Sequence, residues 1–425
     1  MKIIKYPPRE DWPKIITRPA FDHSHLFESV KNVLEDVRLN GDKAVAFYSE
    51  KYDKIVLENF SVTPDEIEEA ERLISEPLKD AIRLASKNIE TFHRSQQIVT
   101  QKIETMPGVV CWQKASAIEK VGLYIPGGTA PLFSTVLMLA IPARIAGCRE
   151  IVLCSPPAKN GKIHPAILYA ARQAGVSRIF KIGGIQAIAA MTYGTETVPK
   201  VYKIFGPGNQ YVTAAKQLVA MRDVAIDMPA GPSEVEVIAD ETAHPAFVAA
   251  DMLSQAEHGV DSQAILVTTC EDIVDKVITE IERQLNELPR KELTEKSLQH
   301  SCIVVLKDQN EVIDFTNAYA PEHLIIETKN YAALADRVIN AGSVFLGHFT
   351  PESAGDYASG TNHTLPTNGY ARMYSGVNLD SFVKKITFQE ISQEGISHIG
   401  RAIETMAQAE SLQAHSNAVS LRLKS

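Results

Sequence analysis

Apolar residues near the start of the chain recur with helical spacing. Within residues 25–93, Leu26, Val30, Val33 and Val37 lie three or four positions apart, which places them on one face of a helix. The residues before them include several prolines, which disfavour regular helix. We therefore expect residues 1–20 to form an extended arm that precedes a helical segment.

The pattern changes at Val121, where short apolar runs begin to alternate with longer helical stretches. The runs with the length and composition of strands are VGLYI, EIVLC, RIF and VYKIF. The stretches with helical spacing are TAPLFSTVLMLAIPARIAG, HPAILYAARQAG, IQAIAAMTYG and NQYVTAAKQLVA. This alternation predicts βαβ units and a parallel sheet, and we expect residues 124–233 to form one α/β domain.

A second alternating series follows. Its predicted strands are EVEVIAD, SQAILVTTC, CIVVLKD, HLIIET and SVFLG, with helical stretches between most of them. We expect residues 21–123 and 234–380 to form one discontinuous α/β domain, and residues 381–425 to form a helical segment. The predicted fold class is α/β, with two Rossmann-like, incomplete doubly wound domains, an N-terminal arm and a C-terminal helical segment.

Composition and charge exclude several classes of protein. Of the 425 residues, 45% are hydrophobic and 22% charged, which is typical of a globular protein. The net charge of −9 and the lack of any Lys/Arg block argue against nucleic acid and anionic lipid as partners. The cysteines form no CxxC pair, and no apolar stretch of roughly 18 residues occurs. We expect a cytoplasmic protein with no membrane association.

Three glycine-bearing turns follow predicted strands in residues 124–233. They are Tyr124–Gly128, Gly183–Gln186 and Gly206–Asn209. Ligands of parallel α/β sheets bind beyond the carboxyl ends of strands, where glycine lets the backbone approach them closely. None of the turns reads GxGxxG, and each alone is explained as a tight connection. Together they leave a nucleotide or phosphate site and a structural role as equal alternatives.

Two pairs of polar residues lie where a site could form. Gln255 and His258 share a face at the end of a predicted helix, so they can bind a metal ion, although most such pairs are ordinary surface. Glu322 and His323 precede an apolar strand, and a carboxylate beside an imidazole suits general-base catalysis. The alternative for the second pair is a capping Glu and a buried structural His.

Two further pairs depend on more distant neighbours. Asp356 and His363 lie in a long polar loop after SVFLG, as a metal ligand and a substrate contact or as parts of a solvated connection. Glu410 and His415 are five residues apart near the C-terminus, so they do not share one face of a helix well. Their spacing alone favours a solvated helix.

Taken together, these motifs resemble those of the histidinol dehydrogenase family. The segments that carry the resemblance occur in order over nearly the whole chain, and they are YIPGGTAPLFSTVLM, GGIQAIAA, FGPGNQYV, DMPAGPSE, SQAEHG, NAYAPEHL, GDYASGTNHTLPT and ESLQAHSNAV. The resemblance implies a four-electron oxidation of L-histidinol through L-histidinaldehyde to L-histidine. It also implies one zinc ion per subunit and two NAD used in turn.

The resemblance also assigns roles to residues. The implied zinc ligands are Gln255, His258, Asp356 and His415. The implied substrate contacts are Ser233, Gln255, His258, His323, Asp356, His363, Glu410 and His415. The implied NAD contacts are Tyr124, Gln186 and Asn209, one from each glycine turn. His323 would take the proton of the alcohol, and Glu322 would activate water for attack on the aldehyde.

The family pattern further implies a homodimer whose C-terminal segment crosses to the other subunit. Glu410 and His415 would then complete the neighbouring site, which removes the difficulty of their spacing. Ser411 stands where the family usually has Gly, and Ile185 where it usually has Ala. Neither position holds a proposed catalytic group.

Three other functions compete with this interpretation. A related dehydrogenase could oxidise a different alcohol, but His363, Glu410 and His415 suit an amino-imidazole substrate. A zinc hydrolase could use Glu322 to activate water, and it would produce no NADH. A binding module without catalysis is disfavoured because buried polar groups without a task cost stability.

Overall fold

Two parallel β-sheets organise the computed structural model, which describes residues 1–19, 26–127, 131–228 and 231–425. The large sheet has the spatial order β1 (Lys2–Lys5), β11 (Cys302–Val305), β10 (Gln263–Thr268), β9 (Glu234–Ala239), β12 (His323–Glu327) and β13 (Ser343–Leu346). The small sheet has the order β6 (Arg178–Phe180), β5 (Glu150–Cys154), β4 (Lys120–Tyr124), β7 (Lys203–Phe205) and β8 (Ala225–Ile226). Two α/β units with parallel strands confirm the predicted fold class.

Helices cover both faces of the large sheet. One face carries α10 (Pro245–Ala256) and α11 (Val274–Leu285), and the other carries α1 (Trp12–Ile15), α13 (Gln309–Tyr319) and α14 (Tyr331–Ala335). Two further short helices are α12 (Lys291–Ser297) and α15 (Glu352–Tyr357). A parallel sheet covered on both faces has strands with continuous apolar runs, and every residue of β9, β10 and β12 is buried.

The small sheet is covered in the same way, and a further layer of helices lies outside the first. Its own helices are α6 (Phe133–Ala146) and α7 (Pro165–Ala174) on one face, and α8 (Gly184–Tyr193) and α9 (Gln210–Ala220) on the other. The outer layer contains α2 (Phe27–Asn40), α3 (Asp42–Tyr48), α4 (Pro64–Leu73) and α5 (Glu76–Arg94). In this layer α2 packs on α8 and α9, α4 on α7, and α5 on α6.

This packing contradicts the expected grouping of residues 21–123 with residues 234–380. The apolar face of α5, which includes Ile82, Ala85 and Ile89, is buried in the same core as α6 and the small sheet. The sequence shows that such a face exists, but the face fits either sheet equally well by composition. Its partner is decided by tertiary packing.

The ends of the chain also differ from expectation. Residues 2–5 are an edge strand of the large sheet, in parallel register with β11, and not a free arm. The segment after residue 381 begins with a strand, β14 (Val383–Ile391), before α16 (Gln393–Ala409) and α17 (Gln413–Leu423). β14 pairs antiparallel with β3 (Val109–Ala117), which also pairs with β2 (Lys102–Met106). β14 is difficult to predict from the sequence, because most of its side chains are exposed and its composition is correspondingly polar.

The connection between α16 and α17 contains one of the positions that departs from the family pattern. Ser411 has a φ of 59°, in the left-handed region that favours glycine. A non-glycine residue there costs about 1 kcal/mol of conformational strain. This explains why glycine suits the position.

Among the described helices, none combines the length and the apolar character needed to cross a bilayer.

Candidate active site

A cleft of about 250 Å³ lies where the two sheets meet. From the small sheet it is lined by residues after the carboxyl ends of β7 and β8, such as Gly206 and Met228. From the large sheet it is lined by Ser233 and His323, which lie at the amino ends of β9 and β12. The expectation that a site follows the carboxyl ends of strands therefore holds for the small sheet only.

Glu322 and His323 lie at the base of this cleft. The helix α13 ends at Ala320, whose positive φ of 54° turns the chain into β12, so that both side chains are buried. The carboxylate of Glu322 accepts a hydrogen bond of 2.9 Å from the backbone N–H of Glu234. Nδ1 of His323 lies 3.6 Å from Oε2 of Glu322. The pair is thus held by two neighbouring strands, and Glu322 is not a helix cap.

His323 is surrounded by negative charge. Its Nε2 lies 3.7 Å from Oδ1 of Asp356, and neither ring nitrogen has a hydrogen-bond partner among the described residues. Burial alone would lower the pKa of His323, but the carboxylates of Glu322 and Glu352 raise it well above its usual value. Several buried carboxylates around one imidazole leave the cleft short of positive charge, which is a suitable environment for a cation.

Gln255 and His258 approach the same cleft from the end of α10. Nδ1 of His258 lies 3.0 Å from the carbonyl oxygen of Ser254, one turn earlier, which leaves Nε2 for a ligand. The buried amide of Gln255 satisfies both neighbours when its nitrogen donates to Glu352 and its oxygen accepts from Glu234 N–H at 2.7 Å. Both predicted ligands therefore reach the cleft, and one has the fixed orientation that metal-binding histidines have.

Asp356 comes from α15 and forms a compact cluster with His323 and Glu352. One ligand atom from each of the three residues lies within 4.8 Å of the others, close enough to surround a metal ion. Burial would raise the pKa of Asp356, but the nearby imidazole of His323 lowers it, whereas burial raises the pKa of Glu352 to about 8. Sequence reasoning missed Glu352, although its spacing of four residues from Asp356 places both on one helix face.

Ser233 and His363 also line the cleft. His363 is held at both ring nitrogens, with Nδ1 2.9 Å from the carbonyl oxygen of Asp356 and Nε2 3.1 Å from Oγ1 of Thr135. Burial lowers its pKa, which favours the neutral imidazole. Thr135, at the start of α6, was not predicted from the sequence, since a threonine in an apolar helix carries no signal.

Glu410 and His415 stand apart from this group. Both are exposed on the paired helices that end the chain, whereas the cleft is lined by residues from Leu132 to Thr367. Within a single chain the structure brings together Ser233, Gln255, His258, Glu322, His323, Asp356 and His363. It does not bring Glu410 and His415 to them.

A second, larger cavity of about 980 Å³ adjoins the first and is lined by residues of all three glycine turns. The hydroxyl of Tyr124 accepts a hydrogen bond of 3.1 Å from Gly184 N–H. Gln186 is buried and lies in the first turn of α8, and the side chain of Asn209 caps α9 by accepting from two backbone N–H groups. Gly128 of the first turn lies outside the described residues. The three predicted NAD contacts thus line one cavity.

A buried ion pair fixes the loop that separates the two cavities. Nζ of Lys216 lies 2.5 Å from Asp227 and donates a hydrogen bond of 2.8 Å to the carbonyl oxygen of Gly206. The carboxylate of Asp227 in turn accepts from Gly206 N–H at 2.8 Å. Both backbone groups of Gly206 are therefore held by charged partners, which fixes the turn between the cleft and the larger cavity.

Comparison with known proteins identifies the family. The family model described as histidinol dehydrogenase matches residues 16–423, which is nearly the whole chain. This chain belongs to the histidinol dehydrogenase family. As a member of that family it is an oxidoreductase of histidine biosynthesis, which confirms the resemblance and the enzyme class expected from the motifs.

Relatives in the histidinol dehydrogenase family match over their full length. The histidinol dehydrogenase of Bacteroides thetaiotaomicron is 68% identical over 423 residues, covering 100% of this chain and 99% of the relative. That of Escherichia coli K12 is 52% identical, covering 97% and 95%. The crystal structure of histidinol dehydrogenase from Elizabethkingia anophelis superposes with a TM-score of 0.98 at 57% identity, covering 100% of this chain and 98% of that one.

Proposed function

We propose that this protein catalyses the zinc-dependent, NAD-linked oxidation of L-histidinol through L-histidinaldehyde to L-histidine in the cytoplasm. The observation that carries the proposal is the convergence of Glu322 and His323 with Gln255, His258 and Asp356 in one cleft beside a cavity large enough for a dinucleotide. The resulting reaction consumes two NAD and one water, and it yields two NADH, three protons and an amino acid.

The chemistry of the cleft supports a zinc site. Gln255, His258 and Asp356 offer one oxygen, one imidazole nitrogen and one carboxylate, a donor set that zinc accepts. The carboxylates beside His323, whose ring nitrogens have no hydrogen-bond partner among the described residues, support the binding of a positively charged group in the cleft. When bound, zinc supplies positive charge that orients the imidazole and amino nitrogens of the substrate.

The first oxidation requires removal of one proton. Zinc held by Gln255, His258 and Asp356 would offset the carboxylates that raise the pKa of His323, so that its imidazole is neutral. The substrate hydroxyl then loses its proton to His323 while hydride leaves the same carbon for NAD, giving L-histidinaldehyde and NADH. Glu322, 3.6 Å from Nδ1 of His323, stabilises the imidazolium that results. Gln255, His258 and Asp356 hold the amino-imidazole end of the substrate so that the alcohol carbon faces the larger cavity.

The second oxidation needs a nucleophile as well. Glu322 takes a proton from water as the water oxygen attacks the aldehyde carbon, which gives the anion of the hydrate. This anion transfers a hydride to the second NAD and becomes the carboxylic acid. The acid loses its proton to His323, which has released its first proton to solvent, and this forms the carboxylate of L-histidine. Glu322 thereby removes a proton from water, whereas His323 removes a proton from an oxygen of the substrate in each oxidation.

The proposal includes a homodimer with exchange of the C-terminal segment. Glu410 and His415 are exposed in their own chain, and the helices that carry them follow a strand at the margin of the molecule. A second copy that lends His415 to the cleft would supply a fourth ligand beside Gln255, His258 and Asp356. Glu410 would then contact the substrate.

The deciding experiment is an absorbance assay for NADH with purified protein, L-histidinol and NAD. We expect two NADH per L-histidinol, loss of activity after chelation and recovery on addition of zinc. A protein that hydrolyses esters or amides without forming NADH would identify a zinc hydrolase and refute the proposal. NADH formation that is insensitive to removal of all metal would refute the zinc site.

A further inference from the structure

The larger cavity contains a carboxylate that does not come from the small sheet or its turns. Asp53 ends a short π-helical turn, Ser49–Asp53, that follows α3. Its Oδ2 accepts a hydrogen bond of 3.0 Å from Nε2 of Gln186. Its Oδ1 lies beside Gly183, where an added Cβ would meet it at 3.4 Å. A segment distant in sequence therefore brings negative charge to the turn after β6.

Other polar atoms in the same cavity lack partners. Oε1 of Gln186 and Oγ of Ser155 have no hydrogen-bond partner among the described residues, and both side chains are fully buried. Both residues line the cavity. A buried polar atom without a partner is destabilising, so the cavity suits a polar ligand that supplies the missing bonds.

The strand order locates Asp53 within the cavity. In the small sheet the order is β6, β5, β4, β7, β8, and the catalytic cleft is lined by residues that follow β7 and β8. Gly183 and Gln186 follow β6, at the opposite edge of the sheet. Asp53 therefore lies at the end of the cavity remote from the cleft. A dinucleotide whose nicotinamide ring reaches the cleft places its adenosine half at this end.

The chemistry of a carboxylate restricts which part of a dinucleotide it can face. Negative charge repels the pyrophosphate, whereas a vicinal diol donates two hydrogen bonds to a carboxylate. After β5 the chain continues as Ser155-Pro156-Pro157, which offers no carboxylate for this purpose. We propose that Asp53 accepts hydrogen bonds from the hydroxyls of the adenosine ribose and thereby selects NAD over NADP. This inference rests on the proposed use of NAD.

The test compares the binding of NADH and NADPH to wild-type protein and to Asp53→Asn, by fluorescence titration without substrate. Asn keeps an oxygen that can accept from Gln186 but removes the charge. We expect the Kd of NADH to rise about tenfold or more, since a charge-assisted hydrogen bond is lost, and the preference over NADPH to collapse. Glu50→Gln removes one charge from an exposed side chain of the same turn and is expected to change neither Kd more than twofold.

Other outcomes would refute the inference or separate it from the proposed function. If Asp53→Asn weakens both dinucleotides equally, or leaves both unchanged, the carboxylate does not read the adenosine ribose and the inference is wrong. Asp53→Ser provides a second variant should Asp53→Asn unfold, as judged by its thermal midpoint. If the wild type binds NADH with the stated preference but forms no NADH from L-histidinol, the proposed function fails while the role of Asp53 stands.

Discussion

At the scale of single residues, the site depends on side chains whose partners belong to different elements. Glu322 is fixed by a hydrogen bond from the N–H of Glu234 on the neighbouring strand. Gln255 lies between Glu234 and Glu352. The sequence identifies Glu322 and Gln255 by their motifs, yet Glu352 was found only in the structure. Its spacing of four residues from Asp356 was the only signal in the sequence, and that spacing is common on solvated helices.

Replacing Glu322 by Gln should slow the second oxidation far more than the first. Gln keeps an oxygen that can accept from Glu234 N–H, so the fold is preserved, but it cannot take a proton from water. We expect a loss of about 10²–10⁴-fold with L-histidinaldehyde as substrate and a much smaller loss in the first transfer of hydride. Single-turnover NADH formation from each substrate measures the two steps. Equal losses in both would contradict the role given to Glu322.

A second residue-scale prediction concerns Glu236, a fully buried glutamate in β9. Burial raises its pKa to about 8, and Thr316 donates a hydrogen bond to it. The folded protein therefore holds a proton on Glu236 between about pH 4.5 and 8, where the unfolded chain has lost it. The folded protein therefore binds more protons than the unfolded chain. Because of this difference, Glu236 lowers the free energy of unfolding as the pH rises through that window.

Glu236→Gln should remove this pH dependence. Relative to the wild type, the variant should become more stable between pH 5.5 and 8, by at most about 3 kcal/mol, since each pH unit contributes about 1.4 kcal/mol. Denaturant midpoints of both proteins at the two pH values measure the effect. The exposed Glu58→Gln serves as the control. A variant whose difference from the wild type is the same at both pH values would disprove the assignment.

At the scale of elements, the turn after β7 lies between the cleft and the larger cavity and contributes residues to both. Gly206 has a φ of 119°, and a Cβ added there would lie 2.0 Å from the carbonyl oxygen of Tyr124 in the neighbouring β4. The ion pair of Lys216 and Asp227 holds the backbone of the same turn. Gly206 is therefore required because two strands approach each other closely at this position. A tight turn without this approach would tolerate other residues.

Gly206→Ala should disrupt the small sheet at the edge of both cavities. We expect a loss of several kcal/mol, because both the positive φ and the contact with the backbone of Tyr124 are unfavourable. Gly147→Ala is the matched control, since Gly147 also has a positive φ of 89° but its added Cβ would meet nothing closer than 3.8 Å. That variant should lose only about 1 kcal/mol. Similar thermal midpoints for the two variants would show that the contact is unimportant.

At the scale of the whole molecule, the large sheet contributes its side chains from strand starts and helix ends, and the small sheet contributes turns after its strands. The cleft forms only where these two edges meet, so neither α/β unit contains a complete site. The C-terminal helices lie outside this arrangement. Their part in the proposed function therefore depends on a second chain.

Mixing two inactive variants tests the exchange of C-terminal segments. Glu322→Gln and His415→Ala should each be inactive in the complete reaction as separate proteins. In an exchanged heterodimer, one cleft combines the native Glu322 of one chain with the native His415 of the other. We therefore expect that co-refolding the two variants restores activity, measured as complete conversion of L-histidinol to L-histidine. Without exchange, every cleft keeps one defect and the mixture stays inactive.

The sequence by itself determined the alternation of strands and helices, the two α/β units and the residues of the motifs. These features are local, because periodicity and turn chemistry are set by near neighbours in the chain. The resemblance to the family could also be recognised from the sequence, because its motifs are short and local. The glycine turns were predicted on local grounds too, because few other residues adopt their backbone conformations. Ser411 could be singled out in the same way, since it stands where the family usually has Gly.

Tertiary structure alone decided which surface each apolar face covers. The helices from α2 to α5 pack on the helices that cover the small sheet although their composition fits either sheet, and the exposed polar strand β14 pairs with β3. It also decided that the large sheet presents Ser233 and His323 at its amino edge, and that Asp53 reaches a cavity whose other residues are far from it in sequence. Hydrophobic burial is not directional, so the chain specifies that a face is buried while the complete packing selects its partner.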